Sequence, residues 1–112
     1  MNESQSVMYA RVFSFISKVV QKEKEATRLV ESSNNQVMFR DDIFIFTLKG
    51  LYELLFGEES EEGEGYPGFR AMLYSSRLNS DLLKLGYKVE IYTSTQKVDT
   101  SWYQIDLKGL GV

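Results

Sequence analysis

The sequence predicts an α+β protein: a long N-terminal helix, a short strand, two further helices and a C-terminal β-hairpin. Three observations carry that reading. Apolar residues fall in two adjacent helical stripes between Met8 and Val20. The run Ile43-Phe44-Ile45-Phe46 is unbroken and β-branched or aromatic. Near the C-terminus, Tyr87 to Tyr92 and Trp102 to Leu107 repeat with a period of two.

Ser4 or Ser6 supplies an N-cap for the first helix. Met8, Val12, Phe15 and Val19 form one stripe, and Tyr9, Phe13, Ile16 and Val20 form the next. The polar line of Arg11, Ser14, Lys18, Gln21 and Lys22 is narrow, so this helix is expected to be mostly covered, either by its own core or by a second copy. The helix continues more thinly through Ala26, Leu29 and Val30 and stops at "SSNN". Ile43 to Phe46 suits a strand buried on both faces. A helix capped by Asp41-Asp42 is the rival, because Ile45, Leu48, Tyr52 and Leu55 share a helical face. The preferred reading ends the strand at Phe46, caps with Thr47, runs a helix from Leu48 to Phe56 and closes it with Gly57.

Residues 57–68, "GEESEEGEGYPG", hold the only proline and five glutamates, and are expected to be a solvated loop. Phe69, Met72, Leu73, Leu78, Leu82, Leu83 and Leu85 mark the next helix, closed by Gly86, with its period faltering near "SSRLNS". In the hairpin Tyr87, Val89 and Ile91 share one face with Tyr103, Ile105 and Leu107, while Tyr92 and Trp102 lie in the outward register. Residues 108–112 read as a frayed tail. The whole chain, 1–112, reads as one domain.

Composition narrows the function classes. With no cysteine, disulfides and thiolate metal sites are excluded; with no histidine, the commonest general base and non-thiolate zinc ligand are missing. The net charge of −3 is localised, since residues 57–65 carry five acids and no base. No apolar run approaches the roughly 18 residues of a membrane span, and the N-terminus lacks the pattern of a signal peptide. The expectation is a cytoplasmic protein with no membrane association.

The order helix, strand, helix, helix, hairpin resembles the winged-helix form of the helix-turn-helix domain. "FTLKGLYELLFG" resembles the start of that domain's second helix, and "SRLNSDLLKLGYKVEIYTSTQKVDTSWYQIDL" resembles the end of a recognition helix followed by a wing. The resemblance spans about residues 7–107 and implies a DNA-binding regulator of transcription, with the Phe69–Leu85 helix in a major groove. Arg70, Ser75, Ser76, Arg77, Asn79 and Lys84 are then the candidate contacts, and Lys97 in the wing approaches the backbone. The glutamates oppose this, because binding to duplex DNA gains from neutralising phosphates. The alternative is a small acidic protein that docks on another protein, as inhibitors and immunity proteins do.

No arrangement of residues points to catalysis, and the reading is a non-enzymatic binding module without cofactor or metal. The glutamate run lacks EF-hand spacing. Ser94-Thr95-Gln96-Lys97 matches S-x-x-K only in a turn, and no carboxylate pair is placed in one cleft. The first helix carries more apolar surface than a chain of this size is expected to cover, which predicts a homodimer through Met8, Val12, Phe15 and Val19.

Overall fold

The computed structural model describes residues 3–33, 36–57, 65–94, 96 and 101–109. Along them run α1 (Glu3–Val20), α2 (Lys24–Glu31), β1 (Val37–Arg40), β2 (Ile43–Phe46), α3 (Leu48–Phe56), α4 (Gly65–Ser75), α5 (Leu78–Leu83), β3 (Val89–Thr93) and β4 (Trp102–Asp106). The class is α+β. All the strands join one antiparallel sheet in the order β1-β2-β4-β3.

The long N-terminal helix is two helices. Lys22 adopts a left-handed backbone, φ 59°. The Glu23 N–H then donates to the Lys18 carbonyl at 3.0 Å and the Lys22 N–H to that of Val19 at 3.0 Å. This is the Schellman arrangement, with a lysine where glycine is the usual residue. The helix begins at Glu3, so Ser6 lies inside it and does not cap it. α2 then folds back with Ala26 and Val30 buried.

The strand expected at Ile43–Phe46 is there, but it has a hairpin partner. β1 pairs with β2 across Asp41-Asp42, with Arg40 opposite Ile43. Asp41 sits at φ 56°, which aspartate tolerates better than most residues. The aspartates therefore make a turn and not a helix cap. Thr47 is the cap: its hydroxyl accepts from the Gly50 N–H at 2.9 Å, and α3 ends at Gly57.

α4 begins at Gly65, so the 57–68 loop is shorter than expected at its C-terminal end. Pro67 lies in the first helical turn, where an absent N–H costs little. The acidic residues 58–64 lie outside the described residues. The single helix expected over Phe69–Leu85 is broken at Ser76-Arg77 into α4 and α5. α5 closes on Gly86 at φ 90°, with the Tyr87 N–H donating to the Leu82 carbonyl at 3.0 Å. At the C-terminal end, Leu107 is buried and donates to the Asp42 carbonyl at 2.8 Å, and Lys108 and Gly109 form a turn on Asp106. Residues 108 and 109 of the expected tail are therefore ordered in this turn, and residues 110–112 lie outside the described residues.

One apolar core joins α1, α2, α3, α4, α5 and the helix-facing side of the sheet. α1 runs through its middle. Met8, Val12, Phe15 and Val19 are all buried inside the protomer, as are Ile16 and Val20. The expected dimer interface is thus corrected: those four side chains are already covered by their own chain, and both apolar stripes of α1 serve one core.

Candidate functional site

Two cross-strand rows face the helices. The first is Phe39–Phe44–Ile105–Val89, and the second is Val37–Phe46–Tyr103–Ile91. The second row begins sealed and ends open: Val37 is 2% exposed, Phe46 1%, and Ile91 61%. The Phe46 and Tyr103 rings stack at 6.0 Å, so apolar surface continues without a break towards β3. α2 packs over the β1 end of the sheet. α4 and α5 stop short of covering the β3 end.

The gap is a groove of about 290 Å³ between α3, the α4–α5 elbow and the sheet, lined by Phe46, Leu51, Leu73, Leu78, Ile91 and Tyr103 among others. Tyr74 stands at its rim, 63% exposed. Polar groups at the elbow are turned inward to the backbone. Ser76 donates to the Leu73 carbonyl at 2.8 Å. Asn79 accepts from the Val89 N–H at 2.8 Å and donates to the Val89 carbonyl at 3.3 Å. Its amide thus acts as an extra strand residue on the outer edge of β3. Those two bonds orient the Val89 backbone away from β4. Because strand backbone groups alternate, Ile91 also presents its N–H and C=O outward. No described residue bonds to them.

α5 is held in place by a second tether. The Tyr9 hydroxyl on α1 donates to the Asp81 carboxylate. Burial first, then that hydrogen bond and the carboxylate charge, push the Tyr9 pKa well above the ordinary phenol range.

The residues expected to read DNA do not form one helical face. Arg70 is half-buried on α4. Ser75 donates back to the Ala71 carbonyl at 3.1 Å. Arg77 is exposed at the break and Asn79 is committed to Val89. Lys84 is 3.8 Å from Asp81. Lys97 lies outside the described residues. The structure brings Ser76 and Asn79 to the groove, and leaves Arg70 and Lys84 off its lining. Sequence reasoning missed Tyr74 and the open position of Ile91. The latter depends on which strand ends at the sheet edge, which an alternating pattern does not encode.

On the opposite face of the sheet Trp102 is half-buried, and the exposed Tyr92 hydroxyl accepts from the Arg40 guanidinium at 3.3 Å. Among the described residues no cluster of His, Cys, Asp or Glu could hold a metal ion, and no helix is long and apolar enough to cross a membrane. No protein-family model matches this chain, and no curated protein or solved structure is significantly similar to it.

Proposed function

We propose that the protein is a non-enzymatic binding module that docks an apolar segment of another protein in the groove beside β3. The observation carrying this is the sheet row that runs from a sealed Val37 to an Ile91 that is 61% exposed. An uncovered apolar row opening into a concave site is the form taken by protein and ligand docking sites. The chemistry of the walls selects the partner. Of the polar residues on the lining, Ser76 and Asn79 are turned to the backbone and Glu90 pairs with Lys88. A polar metabolite finds few groups there to hold it, whereas apolar side chains find a matching surface.

Peptides selected from a displayed random library on the intact protein test the reading. Peptides rich in apolar residues that lose binding on Tyr74→Asp support it. Selection of none, or of peptides indifferent to Tyr74→Asp, overturns it.

Duplex DNA binding across α4 and α5 is the second reading. It is supported by the order of elements, with two helices preceding a hairpin, and by Arg77 exposed at the elbow. A mobility shift at about 50 mM salt, weakened by Arg77→Ala, would favour it; no shift at that salt excludes it.

A further inference from the structure

We infer that a second groove, between α1, α2 and α3, receives an amphipathic helix of a partner protein, with the acidic edge of that helix laid along α1. This groove shares no lining residue with the one beside β3, so the two docking sites stand or fall separately.

The groove has a volume of about 300 Å³. Phe15 and Leu55 are buried in its lining, Leu54 is half-buried and Leu29 of α2 is 41% exposed. Arg11 and Lys18 stand exposed on the α1 wall, with the uncharged Ser14 between them. Elsewhere the cations of this chain sit beside carboxylates: Lys84 by Asp81, Lys88 by Glu90 and Lys108 by Asp42. Among the described residues no carboxylate pairs with Arg11 or Lys18. The Arg11 guanidinium lies over the Phe56 ring instead, 5.0 Å from its centre, which holds the charge at the groove. Glu25 lines the α2 side, and among the described residues it too has no ion pair. The site is thus an apolar trough with positive charge along α1 and negative charge on α2. Spacing selects the occupant. Arg11 and Lys18 are seven residues apart, which is two turns, or about 10 Å, along α1. A single-chain carboxylate answers only one of them. Two carboxylates seven residues apart, on the edge of an apolar helical stripe, have the same spacing and meet both when the helix lies alongside α1. The stripe then covers Leu29 and Leu54, and the edge facing Glu25 carries no acid. Both signs of charge therefore set the same orientation, the usual effect of charges at the rim of an interface.

The test uses a labelled helical peptide of about 20 residues, long enough to hold a helix in water. It carries a leucine stripe, with Glu at every seventh position on one edge and Gln on the other. The control peptide has Lys in place of each Glu. Binding to the intact protein is read by fluorescence anisotropy at about 50 mM salt, where exposed charges are weakly screened. The Glu peptide should bind about tenfold more tightly than the Lys peptide, since attraction gives way to repulsion at two sites. Lys18→Glu leaves the Arg11–Phe56 contact in place and should weaken the Glu peptide about fivefold. Arg11→Glu combined with Lys18→Glu should reverse the preference between the peptides. Lys84→Glu changes net charge equally away from the groove and should have no effect, and neither should Tyr74→Asp at the β3 groove. No binding of the Glu peptide, equal affinity for both peptides, or a loss on Lys84→Glu matching that on Lys18→Glu would overturn the inference. Loss of the Glu peptide on Tyr74→Asp would also overturn it, by placing that peptide beside β3.

Discussion

The two ends of the sheet are built alike and finished differently. Each edge strand has a side chain from the preceding segment near an outward carbonyl: the Ser33 hydroxyl, which donates to the Val30 carbonyl at 2.5 Å, lies 3.3 Å from that of Val37, and Asn79 bonds both the N–H and the carbonyl of Val89. Each carries apolar residues on the helix-facing side. At β1 those residues are roofed by α2, and Val37 is sealed. At β3 the helical cover ends at the α4–α5 elbow and Ile91 stays open. Capping an edge protects backbone groups, but only a helix laid across the face removes apolar side chains from water. An isolated exposed apolar residue is ordinary. A row that leads from the core into a groove is the more informative feature.

The strongest way to break the contrast is to remove what both ends share. Phe44 is fully buried and packs against Phe15, Phe39 and Phe46. Phe44→Ala should cost about 3–5 kcal/mol in urea unfolding and loosen both ends together.

A smaller change acts on the open end alone. Asn79→Ala deletes two hydrogen bonds to Val89 and should cost about 1 kcal/mol, the usual net worth of such bonds at a partly solvated site. It should also speed amide exchange at Val89 without affecting Val37. The smallest effect sharpens the roofed end. Lys22 holds a left-handed conformation between α1 and α2. Lys22→Gly should raise stability by about 0.5 kcal/mol, the relief of strain being partly offset by a more flexible unfolded chain. A loss of stability there would mean that the lysine side chain matters to the turn.

The same pair of helix ends shows what the sequence makes legible. Gly86 and Lys22 occupy equivalent places in the same capping motif, φ 90° and 59°. Glycine announces a helix end and lysine does not, so the closure of α5 at Gly86 was legible while α1 and α2 read as one. Thr47 was legible because its cap is a local, side-chain-encoded bond. β1 was not, because Val37 to Arg40 is short and gains its strand identity from pairing with β2. The burial of Met8, Val12, Phe15 and Val19 was hidden for a related reason. Two apolar stripes on one helix signal two covered sides, but only the assembled fold says that α2, α3, α4 and the sheet supply both covers. Of the candidate site, Asn79 was singled out as a DNA contact, whereas the structure commits its amide to the β3 backbone.

Amide hydrogen exchange resolved at Val89 and Ile91, in protein dilute enough to be monomeric, tests the open edge most directly. Both N–H groups point away from β4, and only Val89 has Asn79 to bond it. The account predicts slow exchange at Val89 and fast exchange at Ile91, with Val89 becoming fast in Asn79→Ala. Equal protection of the two amides in the dilute protein would show that something already covers Ile91, and would contradict an open β3 end.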